Sequence, residues 1–498
     1  MNRRDFLRLG CHAGLLACAG CAGDMGLLLP PRKSDGDEPP LDGHRLLARF
    51  AQVTDTHLMD EESPARFAGA HNITHSAWRP YEAYSTQLLD GIIRTVNRIH
   101  ASGRTIDFLL HTGDACDNAQ SNELAWLLAI TDGSVVDPLT GPDDRRAADR
   151  PPTLLDPHAP FQPQGLYRQG VHGDAPTIPW YGAIGNHDVH AIGVFPIVET
   201  AAGRRIAPLP LPERPGLVLP VVLDPLADRA YGNVTPAEPG PPCFLETPRP
   251  IVTNPARAYF NKQEYVSAVQ TAQTSPTSHG FANGLTRYST APVPGLRLIV
   301  LDTTDSVTHF EGGIYDNGAL TWEQLRYLES ELDRSVQNDE VVMLATHHPS
   351  VALHPFYGSE ILSADLQTLL GRYPNAVLHV AGHRHRNHVV GRGSYIEIET
   401  CSTLDLPQEG RLIELWQDEQ TGAVQVIYEM FSHLPDDTLP PVGDDPLRSL
   451  REQAQTIAKA DASAPARQRR LDSTGATPAG QPADRQGVWK TPSGLTFK

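Results

Sequence analysis

"AVLHVAGHRHRNHVV", residues 376–390, places histidines at 379, 383, 385 and 388 in a chain that holds only 21 in 498 residues. The six residues before Gly382 are mostly apolar and β-prone, and they read as a buried strand running straight into Gly-His-Arg-His. Imidazoles two residues apart on an extended segment point to the same side, and the glycine leaves the backbone free to turn. This is metal-site geometry with the remaining ligands to be found elsewhere. His379, inside the strand, reads as a packed core histidine, and His388 as a surface residue.

The same construction recurs along the chain. "LLARFAQVTDTH" (46–57) is a strand ending at Asp55 and His57, and "TIDFLLHTGDACDN" (105–118) is a strand emptying into a turn with Asp114. Between them Leu88, Leu89, Ile92, Ile93, Val96 and Ile99 form a helical stripe, which gives a β-α-β beginning. "TIPWYGAIGNHD" (177–188) is strand then loop, "LRLIVLDTT" (296–304) a strand, and "EVVMLATHHP" (340–349) a strand ending at His347 and His348. Thr321 and Gln324 predict a capping box for a helix carrying Trp322, Leu325, Leu328 and Leu332; Leu366, Leu369 and Leu370 mark a shorter one. "SYIEIET", "RLIELW" and "AVQVIYEMF" follow as short strands, the last two joined by a "DEQTG" turn.

Size and charge bound the rest. A chain of 498 residues can bury one large core or two ordinary ones. A net charge of −18 argues against holding nucleic acid by phosphate neutralisation, so no nucleic-acid surface is expected. Residues 1–26 read as an export signal: Arg3 and Arg4 before Asp5, Phe6 and Leu7 resemble the twin-arginine motif, and "LLAC" resembles a bacterial lipobox. The expected location is therefore the periplasm or cell surface, reached through the twin-arginine machinery, with membrane anchoring through a lipidated Cys18 or Cys21. Residues 27–44 are a proline-rich tether and 45–435 the main domain. Weakly periodic insertions fall at about 119–176 and 189–290, and 436–498 is an extension expected to be mostly disordered. Beyond the signal, Cys116, Cys243 and Cys401 are too few for a disulfide framework.

The polar groups behind the strands can now be collected: Asp55, His57, Asp114, Asn186, His187, Asp188, His347, His348, His383 and His385. All follow the C-terminal ends of predicted strands, where open α/β sheets place ligands. Aspartates, histidines and an asparagine amide without thiolates suit Fe, Mn, Zn or Co. Asp114 sits between the two groups in sequence and can bridge two ions.

In order, these blocks resemble the calcineurin-like metallophosphoesterases, whose pattern is D-x-H, G-D, G-N-H-D/E, H and G-H-x-H; the resemblance covers residues 50–431. It implies a four-layer α-β-β-α sandwich of two mixed sheets. It implies two divalent or mixed-valence transition metals, one held by Asp55, His57, Asp114 and His385, the other by Asp114, Asn186, His347 and His383. His187 would face the scissile phosphate and Asp188 would orient its ring. The implied reaction is hydrolysis of a phosphomonoester or phosphodiester by a metal-bridging hydroxide, with His187 suited to protonate the leaving oxygen. Purple acid phosphatases carry tyrosine where this chain has Asp117, which reads as a residue outside the ligand shell or a turn cap. Exported 5'-nucleotidases carry a large further domain after G-H-x-H, and the block pattern is closer to class III cyclic nucleotide phosphodiesterases and glycerophosphodiesterase-like members. A phospholipid or pyrophosphate hydrolase and a non-catalytic metal-containing surface lipoprotein are the rival readings; His187, a non-ligand histidine beside Asn186, weighs against the latter.

Overall fold

The computed structural model describes residues 43–66, 78–141, 155–166, 178–209, 222–230, 249–272, 278–304, 317–355, 358–435, 437–462 and 478–492. The expected signal and most of the tether lie outside these residues. In chain order the principal elements are β1 (His44–Val53), α1 (Ser85–Ala101), β2 (Phe108–His111), α2 (Ser121–Asp132), β3 (Trp180–Gly182) and α3 (Lys262–Thr271). They continue with β4 (Tyr288–Val293), β5 (Leu296–Val300), α4 (Trp322–Gln337), β6 (Val341–Ala345), α5 (Ser363–Gly371), β7 (Ala376–Ala381), β8 (His388–Gly391) and β9 (Ile396–Glu399). β10 (Glu409–Asp418), β11 (Val424–Ser432), α6 (Arg448–Ala462) and β12 (Gln486–Lys490) complete the set.

Two six-stranded sheets form, in the orders β12-β11-β10-β1-β2-β3 and β4-β5-β6-β7-β9-β8. In the first, β1, β2 and β3 are parallel and β10 joins β1 antiparallel; in the second, β5, β6, β7 and β9 are parallel with antiparallel edges. Both sheets are therefore mixed, as the resemblance implied. Strand alternation divides the apolar residues between two layers. Val341, Met343 and Ala345 of β6 enter the core that also holds Phe50, Val53 and Leu110, while Val342 and Leu344 face the other way, onto Leu328 and Leu332 of α4 and Leu366 and Leu369 of α5. Helix α1 sends Leu89, Ile92, Ile93, Val96 and Ile99 into the main core.

Several local readings differ from expectation. Gln324 caps α4 only in part: Thr321 accepts from its backbone N–H, but the Gln324 side chain turns to the backbone of Asp302. Trp322 is 47% exposed rather than part of the buried stripe. The region expected as an insertion at 119–176 holds α2, opened by Glu123 accepting from Gln120 N (3.3 Å) and closed by Gly133 at φ 73°. α3 stands within 189–290 on a full capping box between Asn261 and Glu264. The extension is ordered in two places. Ala454 and Ala458 of α6 pack with Leu88 of α1 and with Tyr84 just before it, and β12 pairs with β11. Among the described residues no helix is long and apolar enough to cross a membrane.

Where α6 docks, His433 is fully buried, and neither ring nitrogen has a hydrogen-bond partner among the described residues. Burial, with Arg451 and Lys459 nearby, pushes its pKa down to about 3. The unfolded chain binds that proton near pH 6.5 and the folded one does not, so His433 leaves stability intact above pH 6.5. Below it stability falls by about 1.4 kcal/mol per pH unit until the folded pKa is reached. His433→Leu removes no hydrogen bond. Urea unfolding of the metal-free proteins should show the wild type losing about 1–2 kcal/mol more than the variant between pH 6.5 and 5. Equal losses would mean that another group takes up the proton.

Candidate metal centre

The loops after β1, β2, β3, β6 and β7 meet at one edge where the two sheets adjoin. Gln52 ties the sheets together beneath it, donating to Ala381 O (3.0 Å) and accepting from Thr400 (2.8 Å). Five of the expected ligand positions, Asp55, His57, Asp114, His383 and His385, have φ between 41° and 73°. Left-handed backbone is costly for residues other than glycine, and it clusters at functional sites where the surrounding structure enforces it. Here it bends each chain sharply as it leaves its strand, so that the side chains turn toward a common centre. The approach is close: a Cβ on Gly185 would collide with the Asp114 carboxylate, and one on Gly193 with the His187 ring.

Two imidazoles are oriented by Nδ1 hydrogen bonds, and a third has Nδ1 against a carboxylate. His347 Nδ1 donates to Thr112 O (2.9 Å), His385 Nδ1 to Asp405 Oδ2 (2.6 Å), and His57 Nδ1 lies 2.8 Å from Asp117 Oδ1. Each Nε2 is thereby left facing the centre. His57 Nε2 and His385 Nε2 stand 3.0 Å apart, and His385 Nε2 is 3.2 Å from Asp55 Oδ1. Asp114 Oδ2 lies 3.8 Å from His57 Nε2 and 3.1 Å from His347 Nε2. Asn186 donates its amide N–H to Gly193 O (2.9 Å), which turns Oδ1 toward His347 Nε2 at 3.0 Å. The His383 ring stands 5.3 Å from that of His347 and 4.3 Å from that of His348. His348, with Nδ1 on Thr303 Oγ1 (2.7 Å) and Nε2 unpartnered among the described residues, joins His347 and His383 in a group able to hold an ion. Asp55, His57, Asp114 and His385 form another such group.

The electrostatics fit cations. Burial opposes charging the His385 ring, yet Asp55 and Asp405 outweigh it and push its pKa up to about 10; Asp114 does the same for His347, to about 9. Burial and His187 pull His57 down to about 4. Burial would raise Asp114, but His347, His187 and His57 hold it well below the usual carboxylate range. Of the four buried carboxylates Asp55, Asp114, Asp117 and Asp405, the last two pair with the Arg79 guanidinium, while Asp55 and Asp114 face imidazoles. Metal ions would balance the negative charge left over, and the converging Nε2 atoms are their natural donors.

One expected role is corrected. Asp188 does not orient His187: its carboxylate accepts from Ala115 N (2.9 Å), Cys116 N (3.0 Å) and Gly185 N (2.9 Å), cross-linking two of the site loops. The His187 ring is held from the other side, Nδ1 donating to Asp117 O at 2.7 Å with the Asp117 carboxylate 3.6 Å away. Burial and Asp114 raise the pKa of Asp188 to about 7. His379 and His111 are core histidines, bonded to Thr346 and Thr56. Arg79 and Asp405 carry no local sequence signal, because neither sits in a strand-end block.

The family model for the calcineurin-like phosphoesterase matches residues 48–387, well over half of the chain. The chain belongs to the calcineurin-like phosphoesterases. It is thus a hydrolase acting on phosphoric ester bonds, and family and donor set together support two divalent metals. Among solved structures it is similar to a dimetal phosphatase from Danio rerio (13% identity, covering 80% of this chain and 100% of that one, TM-score 0.42). It is also similar to a putative 5'-nucleotidase from Staphylococcus aureus (15%, 82% and 58%, 0.32) and to the sulfate thiohydrolase SoxB of Thermus thermophilus (10%, 86% and 61%, 0.34). No curated protein matches the chain.

Proposed function

We propose that this phosphoesterase hydrolyses phosphomonoesters or phosphodiesters, with Asp55, His57, Asp114 and His385 holding one cation and Asp114, Asn186, His347 and His383 the other. The observation that carries the reading is the position of Asp114, one carboxylate within 3.8 Å of His57 Nε2 and 3.1 Å of His347 Nε2. Two cations drawn from Fe, Mn, Zn or Co would supply activation of water and neutralisation of the charge that builds on a phosphoryl group. The chain's own contribution includes His187. Because a carbonyl oxygen only accepts, the bond to Asp117 O requires a hydrogen on Nδ1, and Nε2 is left to hold or pass a proton at the leaving oxygen. The export reading is part of the same proposal: Arg3 and Arg4, with Cys18 or Cys21 lipidated, would set the site in the periplasm or at the cell surface. These residues lie outside the described ones.

The test is a panel of aryl and alkyl monoesters and diesters offered to purified, metal-loaded full chain. Turnover should vanish on chelation, return with added Mn²⁺ or Zn²⁺, and favour one ester class. A protein that binds two cations and hydrolyses no ester would overturn the reading in favour of a non-catalytic metal protein.

A further inference from the structure

Arg79 belongs to none of the strand-end blocks, yet its side chain is fully buried behind them. Its Nε donates to Asp405 Oδ1 (2.7 Å) and its Nη1 to Asp117 Oδ1 (3.1 Å). Each carboxylate also meets an imidazole: Asp405 accepts from His385 Nδ1 through its other oxygen, Oδ2 (2.6 Å), and the same Asp117 Oδ1 that accepts from Arg79 lies 2.8 Å from His57 Nδ1. Those rings are the pair whose Nε2 atoms stand 3.0 Å apart. The frame is itself braced. Tyr81 OH donates to Asp405 Oδ1 (2.6 Å), Ser402 Oγ accepts from Asp405 N (2.9 Å) and donates to Asp55 O (2.7 Å), and Arg79 N donates to Glu82 (2.9 Å).

From this geometry we infer that Arg79 is a positioning residue for one cation, a planar fork that fixes the spacing of Asp117 and Asp405 and through them aims His57 and His385. The inference rests on the two-cation reading above. A guanidinium presents donors at fixed angles, so two carboxylates bound to different nitrogens of one plane cannot drift independently; an ammonium, a point charge with rotating donors, imposes no such relation. Arg79 thus acts on the Asp55, His57, Asp114, His385 group and leaves the Asn186, His347, His383 side alone.

The experiment is titration of the metal-free full chain with Co²⁺, following heat and visible absorption, for wild type, Arg79→Lys and Asp405→Asn. Asp405→Asn covers the case in which the arginine variant fails to fold. Its Oδ1 still accepts from Arg79 and Tyr81, but its amide N–H now faces His385 Nδ1. That nitrogen must then accept, the ring hydrogen moves to Nε2, and the ligand lone pair is lost. Both variants should bind one cation roughly 10–100-fold more weakly, with a changed absorption band for that site and the other cation at wild-type affinity. Wild-type affinities and bands for both ions in either folded variant would overturn the positioning role. Failure of the wild type to bind two ions would instead count against the two-cation reading.

Discussion

Asp114→Asn should leave the chain folded but strip it of both cations, metal analysis falling from two per chain to below one. The asparagine keeps the shape and can still accept from His187 N, which Asp114 Oδ1 does at 2.8 Å, so the loop after β2 retains its backbone bond. It loses the negative charge that faces His57 Nε2 and His347 Nε2 together. A neutral amide cannot bridge two cations as a carboxylate does, and each half-site is left with three donors and one negative charge fewer. Activity should therefore fall by more than the roughly 10–100-fold typical of residues that act only through a ligand. A variant that still carries two ions would refute the bridging assignment, and one that loses only the ion on the His347 side would reassign Asp114 to that side alone.

Sequence disclosed the parts of this molecule in which local pattern and chemistry coincide. β6 is an unbroken apolar run and β7 is broken only by His379, and they are followed at once by Thr-His-His and Gly-His-Arg-His, so strand, turn and donor type can be read in one pass. The parts that stayed hidden are decided by distance in the chain or by side-chain direction. Arg79 finds its partners at positions 117 and 405, and no local pattern connects an arginine to an aspartate 326 residues later. Asp188 stands next to His187 in sequence, yet its carboxylate turns to three backbone N–H groups, a choice set by how the loops after β2 and β3 meet. Helix α6 buries Ala454 and Ala458 with Leu450 and Ile457 only partly buried beside them, an apolar stripe too thin to stand out among glutamines, arginines and lysine. β12 is five residues long and depends on the free edge of β11.

His187→Ala should keep both cations and slow hydrolysis by a factor on the order of 10² to 10⁴, the range for loss of a general acid. The ring belongs to neither ligand set assigned above: it stands edge-on to His57 with centroids 4.5 Å apart, and among the described residues its hydrogen bond goes to Asp117 O, with the Asp117 carboxylate 3.6 Å away. Deleting it leaves His57, Asp117 and Asp114 with their mutual contacts, so metal content serves as the control for structural damage. Leaving-group dependence separates the roles. An alkoxide must be protonated as it departs, whereas a nitrophenolate leaves without help, so the loss should shrink toward unity for nitrophenyl esters and stay large for alkyl ones. Equal losses on both would make the ring an electrostatic partner of the phosphoryl oxygens. Loss of the cations would return it to the scaffold, through the Asp117 carbonyl it now holds.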